Sequence, residues 1–307
     1  MNSYNSTEIV WPDAVDPTEA DIQPLEFVIE GYAARGLVTV IGGSGGSGKS
    51  LLNQYLLQGR NSEILDVARG AYALYLTGAD TSDNELNRRS HAIGRNEGLL
   101  GQELPENALP FVSDMNFFRT LLNKIKMVNA DAIVFDTLAD FHHGNLIEAK
   151  DANETMQAFR SLATQGNVAV IIITHTRKGS KIKTRYDVED ISDSRIFTTK
   201  ADFVFALKSE YQNDQYNLIE LQCLKNRSSK PIGNMRMIIK EDDVNSKLQI
   251  EKSEELFSYE LEDQQKLRKR EERKKQVVEL KAEGLSLRDI ESRTGIPKST
   301  VSNLLNS

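Results

Sequence analysis

Residues 41–50 read IGGSGGSGKS, and this segment is the strongest indication of the fold. It contains Gly43, four further residues and then Gly48-Lys49-Ser50, which is the full phosphate-loop pattern. The glycines let consecutive backbone N–H groups turn toward a di- or triphosphate, the lysine places a positive charge near the terminal phosphates, and the serine hydroxyl is a ligand for Mg²⁺. The sequence therefore predicts that a nucleotide is bound by Gly43, Ser44, Gly45, Gly46, Ser47, Gly48, Lys49 and Ser50, with Ser50 also a ligand of Mg²⁺.

The residues on either side of this loop have the pattern that a phosphate loop requires. Residues 36–41, GLVTVI, form a short apolar run typical of a buried parallel strand, and residues 50–57 have the pattern of a helix. A flexible turn of glycine and serine with an incidental lysine is the alternative, but strand, glycine loop and helix follow in the required order. We therefore expect a nucleotide site.

Composition and charge limit the class of protein. The chain has 307 residues, 39% hydrophobic and 27% charged, which suits one large globular domain and a small one. No apolar run approaches the roughly 18–20 residues that span a bilayer, and the N-terminus lacks the pattern of a signal peptide, so we expect a cytoplasmic protein without membrane contact.

The net charge is −7, yet residues 264–307 contain 11 Lys and Arg against 6 Asp and Glu. This basic segment predicts an anionic partner, although a solvated helix face can have the same composition.

Apolar strands alternate with helical patterns after the phosphate loop. Strands are predicted at residues 71–77, 131–137 and 167–175, with a weaker one near 108–112. Strands of this kind imply a parallel sheet covered by helices on both faces, in which ligands bind at the carboxyl ends of the strands. Asp80, Asp136 and His175 follow or end three of these strands, so we expect them beside the phosphate loop.

A segment without periodicity follows the last of these strands, and short strands follow the segment. Residues 177–194 begin with five basic side chains, which suit contact with a phosphate backbone, although a solvated loop has the same composition. The basic residues are Arg177, Lys178, Lys181, Lys183 and Arg185. Residues 202–207, 217–225 and 234–240 then alternate with turn signals, as antiparallel strands would.

With these strands placed, residues 27–255 resemble the RecA-like ATPase core, and most closely the RepA-type hexameric replicative helicases that are relatives of DnaB. The segments YLTGAD, IVFDTLADFH and IIITHTRKG resemble successive motifs of that family. The resemblance implies that Asp80 is the catalytic acid in place of the usual Glu, with Glu85 as a substitute. It also implies that Asp136 anchors Mg²⁺ and that His175 senses the γ-phosphate.

The segment LQCLKNRSSKPIG resembles the DnaB-type hairpin that carries a Lys and an Arg two residues apart. The resemblance implies that Lys225 and Arg227 act on the nucleotide of a neighbouring subunit, so that the active form is a ring, a hexamer in that family. It also implies that the basic loop, residues 177–185, lines a channel for single-stranded DNA.

The C-terminal residues resemble helix-turn-helix DNA-binding modules of resolvases and repressors. After a charged helix at residues 267–283, Ser286 can cap a short helix, Gly295 can make a turn, and Pro297 can begin a second helix. By that resemblance the second helix enters the major groove of double-stranded DNA. The residues able to reach phosphates or base edges are Lys298, Ser299, Thr300, Ser302 and Asn303. A helical hairpin that packs on the ATPase or on another protein is the alternative.

Together these features predict an irregular N-terminal arm at residues 1–26, a RecA-like ATPase domain at 27–258, and a basic linker helix with a helix-turn-helix domain at 259–307. The leading hypothesis is an ATP-dependent DNA motor, a hexameric replicative helicase of a plasmid, phage or mobile element, with a primase or an initiator protein as further partner. One alternative is a regulatory or recombination ATPase that assembles on DNA without unwinding it. Another is an ATP-controlled transcriptional regulator.

Overall fold

A mixed β-sheet is the central element of the chain between Val38 and Lys252. The structure is a computed structural model that describes residues 24–58, 64–68, 71–78, 83–94, 99–102, 110–177, 185–191, 194–212, 216–227, 231–242 and 247–306. Within these ranges, β1 (Phe27–Ile29) and β2 (Ala33–Ala34) form a separate pair, and nine strands form one mixed sheet. The nine strands are β3 (Val38–Gly43), β4 (Ala73–Thr77), β5 (Leu99–Gln102), β6 (Ala132–Asp136), β7 (Ala169–His175), β8 (Phe203–Gln212), β9 (Tyr216–Asn226), β10 (Met235–Asp242) and β11 (Lys247–Lys252).

Helices connect the parallel strands and form the C-terminal end of the chain. They are α1 (Lys49–Gln58), α2 (Asp83–Ile93), α3 (Met115–Val128), α4 (Leu138–Phe141), α5 (Ala149–Gly166), α6 (Arg195–Lys200), α7 (Ser258–Ala282), α8 (Leu287–Thr294) and α9 (Lys298–Asn306). Among the described residues, none of these helices has the length and apolar character that crossing a membrane requires.

The sheet has the order β11-β10-β9-β8-β3-β7-β6-β4-β5. The strands from β8 to β5 are parallel, and β9, β10 and β11 extend the sheet with antiparallel pairs. Neighbouring residues of β3 point to opposite faces: Ile41 lies in a core with Leu52 of α1, and Val40 lies in a second core with Phe159 of α5. The predicted α/β fold class is confirmed: the sheet is parallel, has helices on both faces and carries an antiparallel extension.

Two predicted positions are wrong, and one strand was not predicted. The short strand expected near 108–112 lies instead at Leu99–Gln102, where it pairs with β4; Pro110 has no N–H to donate to a ladder. An antiparallel strand that the sequence did not predict, β11, follows β10. The last long helix begins at Ser258, nine residues before the predicted start at Leu267.

The end of α7 packs with α8 and α9 around a small core of their own, and we call residues 258–306 the C-terminal helical unit. The buried side chains of this core are Val277, Ile290, Ile296, Val301 and Leu304. The predicted cap is confirmed, because the Ser286 hydroxyl accepts a hydrogen bond from the N–H of Asp289 at 3.3 Å. The predicted turn is confirmed as well, with Gly295 at φ 70° after α8.

The first turn of α7 is fixed to the antiparallel strands. Phe257, which precedes the helix, is fully buried and packs against Ile238 of β10. The guanidinium of Arg236 pairs with the carboxylates of Glu220 on β9, at 3.1 Å, and Glu260 on α7, at 2.6 Å. The C-terminal helical unit therefore continues from the nine-stranded sheet through an anchored helix.

Candidate active site

Strand register brings the predicted site residues to one edge of the sheet. Gly43 at the end of β3 is directly opposite His175 at the end of β7. Asp136 at the end of β6 is opposite Ile173 on one side and Thr77 on the other. We call this edge, where the phosphate loop follows β3, the nucleotide edge.

The phosphate loop has conformations and contacts that require glycine. Gly46 and Gly48 have φ values of 74° and 90°, which side chains rarely adopt. A Cβ atom on Gly43 would lie 2.5 Å from the carbonyl oxygen of Leu207 and 2.7 Å from Ser47 Oγ. The loop is therefore packed between β8 and its own following turn, with its backbone directed along the nucleotide edge.

Lys49 is a buried cation. Its side chain is 5% exposed, and its ammonium donates hydrogen bonds to the carbonyl oxygens of Gly43, at 3.0 Å, and Ser44, at 2.9 Å. Among the described residues no carboxylate forms an ion pair with it, and burial lowers its pKa to about 8 against the opposing effect of Asp136. A buried ammonium held only by neutral groups fits a polyphosphate, which supplies the missing negative charge.

Asp136 is the carboxylate that the phosphate loop faces, and Tyr75 orients it. The Tyr75 hydroxyl donates to Asp136 Oδ2 at 2.8 Å and lies 3.3 Å from the carbonyl oxygen of Ser50. Burial and the charge of Asp136 raise the pKa of Tyr75 well above its usual value, so the hydroxyl keeps its proton. Within the described part of the chain no three His, Cys, Asp or Glu side chains form a metal cage. Ser50 and Asp136 are side chains at this edge that could share a small cation with phosphate oxygens.

His175 lies at the end of β7, within electrostatic range of both Lys49 and Asp136. Desolvation and the nearby Lys49 ammonium lower the pKa of His175, and Asp136 opposes this shift. The imidazole is therefore neutral at pH 7, with a donor and an acceptor nitrogen available.

Asp140 is an acidic side chain at the nucleotide edge that sequence reasoning missed. Its Oδ2 accepts hydrogen bonds from the N–H of Thr137, at 3.0 Å, and from the Thr137 hydroxyl, at 3.1 Å. It lies against the end of β4, where a Cβ atom on Gly78 would be 2.0 Å from its Cγ. The signal was the spacing of Thr137 and Asp140 after an apolar strand, which is typical of a helix cap.

The wall of the cleft opposite the phosphate loop comes from α2 and the antiparallel strands. The cleft has a volume of about 700 Å³ and is lined on this side by Glu85, Arg88, Arg89, Tyr211, Tyr216, Asn217, Ile239 and Leu248. Glu85 accepts hydrogen bonds from Arg88, at 2.9 Å, and from Arg89, at 2.8 Å, and these contacts lower its pKa. None of these residues except Glu85 was singled out from the sequence, because no motif marks them.

Lys225 and Arg227 hold the end of α6 within their own chain. The Lys225 ammonium donates to the carbonyl oxygens of Thr198 and Thr199, each at 2.7 Å, and of Ala201, at 2.8 Å. Arg227 Nη2 donates to the Thr199 carbonyl at 2.7 Å. Burial and the neighbouring Arg227 charge lower the pKa of Lys225 to about 8.

These two side chains lie far from the phosphate loop of the same chain. The N–H of Arg227 bonds to Asp202, whose own N–H bonds to Val38 at the start of β3. Gly43 is five residues further along β3, a distance of about 16 Å at 3.3 Å per residue. Lys225 and Arg227 therefore belong to the edge of the sheet opposite the nucleotide edge.

The predicted DNA-contact loop is described only at its two ends. The backbone N–H of Arg177 bonds to the carbonyl oxygen of Asp190 at 2.9 Å, just beyond the nucleotide edge. Arg185 lines a second cleft together with Arg236 and Tyr259, beside the start of α7. The structure does not describe Lys178, Lys181, Lys183 or the predicted catalytic acid Asp80, nor residues 1–23 of the predicted N-terminal arm.

The predicted contact residues of the C-terminal helical unit all lie on α9. Lys298, Ser299 and Asn303 are exposed, and Thr300 and Ser302 are half-buried. The backbone N–H of Lys298 donates to Glu291 Oε1 at 3.1 Å, which fixes the start of α9 to α8. The side chains at the start of α9 thus face solvent, as the predicted role requires.

Comparison with known proteins bears on the strands that carry this site. A family model described as an AAA domain matches residues 7–181, which is more than half of the chain and includes Lys49, Asp136 and His175. No sequence among the curated proteins matches the chain. Among solved structures the chain is similar to a KaiC-like protein from the hyperthermophilic archaeon Pyrococcus horikoshii OT3, at 16% identity and a TM-score of 0.49. That similarity covers 73% of this chain and 93% of the other.

Proposed function

Because the chain belongs to the AAA domain family, we propose that it is a RecA-like ATPase that works as an ATP- and Mg²⁺-dependent DNA motor. We place it with ring-forming replicative helicases of the RepA/DnaB type, from a plasmid, phage or other mobile element. The observation that supports this proposal best is the position of Lys225 and Arg227 at the edge opposite the phosphate loop. A site that uses them requires a second subunit.

Within one subunit, each of a few side chains at the nucleotide edge is proposed to have a separate role in binding ATP and Mg²⁺. Lys49 stabilises the terminal phosphates, and Asp136, oriented by Tyr75, holds Mg²⁺ together with Ser50. A Mg²⁺ ion held by these two residues would supply positive charge to the phosphates. The neutral imidazole of His175 is proposed to report whether a γ-phosphate is present.

Asp80 is proposed as the acid that orients and deprotonates the attacking water. The alternative, Glu85, is held as a carboxylate by two arginines that lower its pKa, which makes it a weak proton acceptor. Asp140 lies against Gly78, which follows β4 and precedes Asp80 by two residues in the sequence. Because Thr137 holds the Asp140 carboxylate by hydrogen bonds, Asp140 is proposed to position the end of β4.

Lys225 and Arg227 are proposed to complete the site of the neighbouring subunit. Arginine supplied across an interface stabilises charge that develops in phosphoryl transfer. Both side chains cap α6 in their own chain, so their position depends on this helix. In a ring, each nucleotide edge has one neighbouring subunit that can supply such a pair of side chains. We propose a hexamer.

DNA is proposed to bind at two places. The basic loop between Arg177 and Arg185 begins at the nucleotide edge and ends beside α7, so it suits a channel for single-stranded DNA. The C-terminal helical unit is proposed as a helix-turn-helix module for double-stranded DNA, with α9 as the recognition helix. A primase or an origin-binding initiator is the protein partner that a replicative role implies.

The anchored start of α7 favours a second candidate function. Phe257 and the Arg236 ion pairs join the C-terminal helical unit directly to the sheet of the nucleotide edge. A DNA-binding regulatory or recombination ATPase would use this connection to assemble on a site when ATP binds, without unwinding.

ATP hydrolysis with and without single-stranded DNA, together with strand displacement on a forked duplex, tests the proposal. We expect DNA to stimulate hydrolysis and the fork to be unwound. Lys49→Ala should reduce both by about 100-fold, since contacts to a charged group contribute about 1.5–3 kcal/mol. Lys126→Ala, on the exposed side of α3, is the matched control and should behave as wild type.

The outcomes separate the candidates. Hydrolysis that DNA stimulates without any strand displacement would exclude the helicase and support the second candidate. Absence of ATP hydrolysis under every condition would contradict both.

A further inference from the structure

Four basic side chains of α7 line one wall of a groove whose other wall is α9. The groove has a volume of about 380 Å³ and is lined by Lys266, Lys269, Arg270, Arg273, Thr300, Asn303 and Leu304. We call it the α7–α9 groove. Its lining contains no acidic side chain.

The spacing of the four cations places them on a single face of α7. They occupy positions i, i+3, i+4 and i+7, which lie one above another on a helix. At 1.5 Å per residue the row is about 10 Å long. One strand of a DNA duplex carries a phosphate about every 3.4 Å along its axis, so the row matches about three phosphates.

This row is left largely unneutralised by the protein. Lys266 pairs with Asp263 at 3.2 Å, and both side chains are exposed, so the pair is weak. In the described ranges no carboxylate lies within 4 Å of the cationic groups of Lys269, Arg270 or Arg273. Like charges at this spacing destabilise a helix, and an anion in the groove removes that repulsion.

The opposite wall supplies neutral hydrogen-bond donors. Thr300 is half-buried and Asn303 is exposed, and both face the groove from α9. A hydroxyl and an amide are common ligands of phosphate oxygens, and such contacts fix the position of a protein on a duplex. One strand lying in the groove can therefore contact both helices.

We propose that the α7–α9 groove binds the phosphodiester backbone of a DNA duplex. This inference rests on the proposed function of α9 as a recognition helix. It divides the α9 side chains into two sets: Thr300 and Asn303 contact phosphates together with α7, and Lys298, Ser299 and Ser302 are left to meet base edges. The cations of α7 then supply most of the affinity, and α9 supplies the choice of site.

Duplex binding by the full-length protein as a function of salt tests the groove. The test variant carries Lys269→Gln, Arg270→Gln and Arg273→Gln. The control variant carries Arg268→Gln, Lys274→Gln and Lys275→Gln, which remove the same charge from the same helix outside the groove. Glutamine matches lysine and arginine in helix propensity, and circular dichroism verifies that both variants fold.

We expect the test variant to lose about two to three units of the slope of log K against log salt between 50 and 200 mM, at about 0.9 per phosphate. At 100 mM salt this corresponds to about a 100-fold or greater loss of affinity. The control variant should keep the wild-type slope within about one unit, since charges without a phosphate contact release no counterions.

Each other result has a separate meaning. Equal losses in the two variants would show an effect of overall charge and overturn the groove. Wild-type binding of the duplex with an unchanged slope in the test variant would overturn this inference and leave the proposed function intact. Absence of duplex binding by the wild type would contradict the proposed function itself. If the test variant loses affinity for polyglutamate but keeps its affinity for duplex, the occupant is an acidic protein segment, and the inference is wrong.

Discussion

The nucleotide edge and the C-terminal helical unit place their polar side chains in opposite surroundings. At the nucleotide edge, Lys49 is 5% exposed and Asp136 is 4% exposed; the carbonyl groups of the phosphate loop hold Lys49, and strand register positions Asp136. In the C-terminal helical unit the buried residues are all apolar, the α7 cations that line the groove are exposed, and the described polar residues of α9 are exposed or half-buried.

This difference determines how each region responds to substitution. At the nucleotide edge, removing a single buried side chain leaves another buried polar or charged group without its partner. Such a substitution therefore has a large effect. Exposed cations each contribute little and add together, so only grouped substitutions reveal the α7–α9 groove. Four predictions use this comparison.

The largest effect is expected from substitution of Arg227. This substitution tests whether one chain supplies every side chain that ATP hydrolysis needs. Arg227→Ala should lower ATP hydrolysis by about 10³- to 10⁵-fold, the usual worth of an arginine supplied across an interface. Lys49→Ala should lower hydrolysis by about 100-fold. Mixing the two variants should restore activity at about a quarter of the interfaces, where an intact Lys49 meets an intact Arg227 in a ring.

The control is Arg195→Ala on α6, which removes an exposed arginine paired with Glu189 and should leave hydrolysis unchanged. A mixture no more active than its two components would show that each chain carries a complete site.

Ile290→Ala tests whether the two regions fold independently. Ile290 is fully buried in a core of only five side chains, and truncation should cost about 2–5 kcal/mol. We expect the C-terminal helical unit to melt early by circular dichroism and duplex binding to be lost, while nucleotide affinity stays at the wild-type value. Val278→Ala, at an exposed position of α7, is the control. An equal loss of nucleotide affinity in Ile290→Ala would mean that both regions form one cooperative unit.

Much of the fold could be predicted from the sequence because its signals are local. The glycine loop, the β-branched apolar runs and the caps at Ser286 and Gly295 each constrain the backbone at their own position. Asp136 and His175 could be placed near the loop because parallel strands end at the same edge.

The remaining features depend on contacts between distant residues. The early start of α7 reflects burial of Phe257 and the pairing of Arg236 with Glu260, which no local pattern indicates. Tyr75 is one apolar strand residue among several until its hydroxyl meets Asp136. The α7–α9 groove arises only when two helices meet, although the spacing of its cations was visible.

Tyr75→Phe tests how finely the nucleotide edge is oriented. Removal of the hydroxyl leaves Asp136 without its donor, and loss of such a partner weakens metal sites by about tenfold or more. We expect nucleotide affinity to fall about tenfold in Mg²⁺ and to change little in EDTA. Tyr32→Phe removes a buried hydrogen bond to Asn53, at 2.9 Å, and is the matched control for lost stability. Equal effects with and without Mg²⁺ would contradict a role for Tyr75 in orienting the Mg²⁺ ligand.

The smallest effect concerns pH. Burial lowers the pKa of Lys49 to about 8 in the free protein, and phosphates beside it favour the charged form, so the bound pKa is higher. Affinity for ATP is therefore complete below pH 8 and falls as pH rises through that value, by about tenfold at pH 9. Binding should take up about half a proton at pH 8, measured by calorimetry in buffers of different ionisation enthalpy.

Lys225 has a pKa of about 8 as well, and the two amines must be separated. In Lys225→Arg the second amine is replaced by a guanidinium that stays protonated, so proton uptake that persists there belongs to Lys49. His175 titrates below its usual pKa and contributes in a lower pH range. If proton uptake disappears in Lys225→Arg, the proton belongs to Lys225. Lys49 would then not be the group that becomes protonated when the phosphates bind.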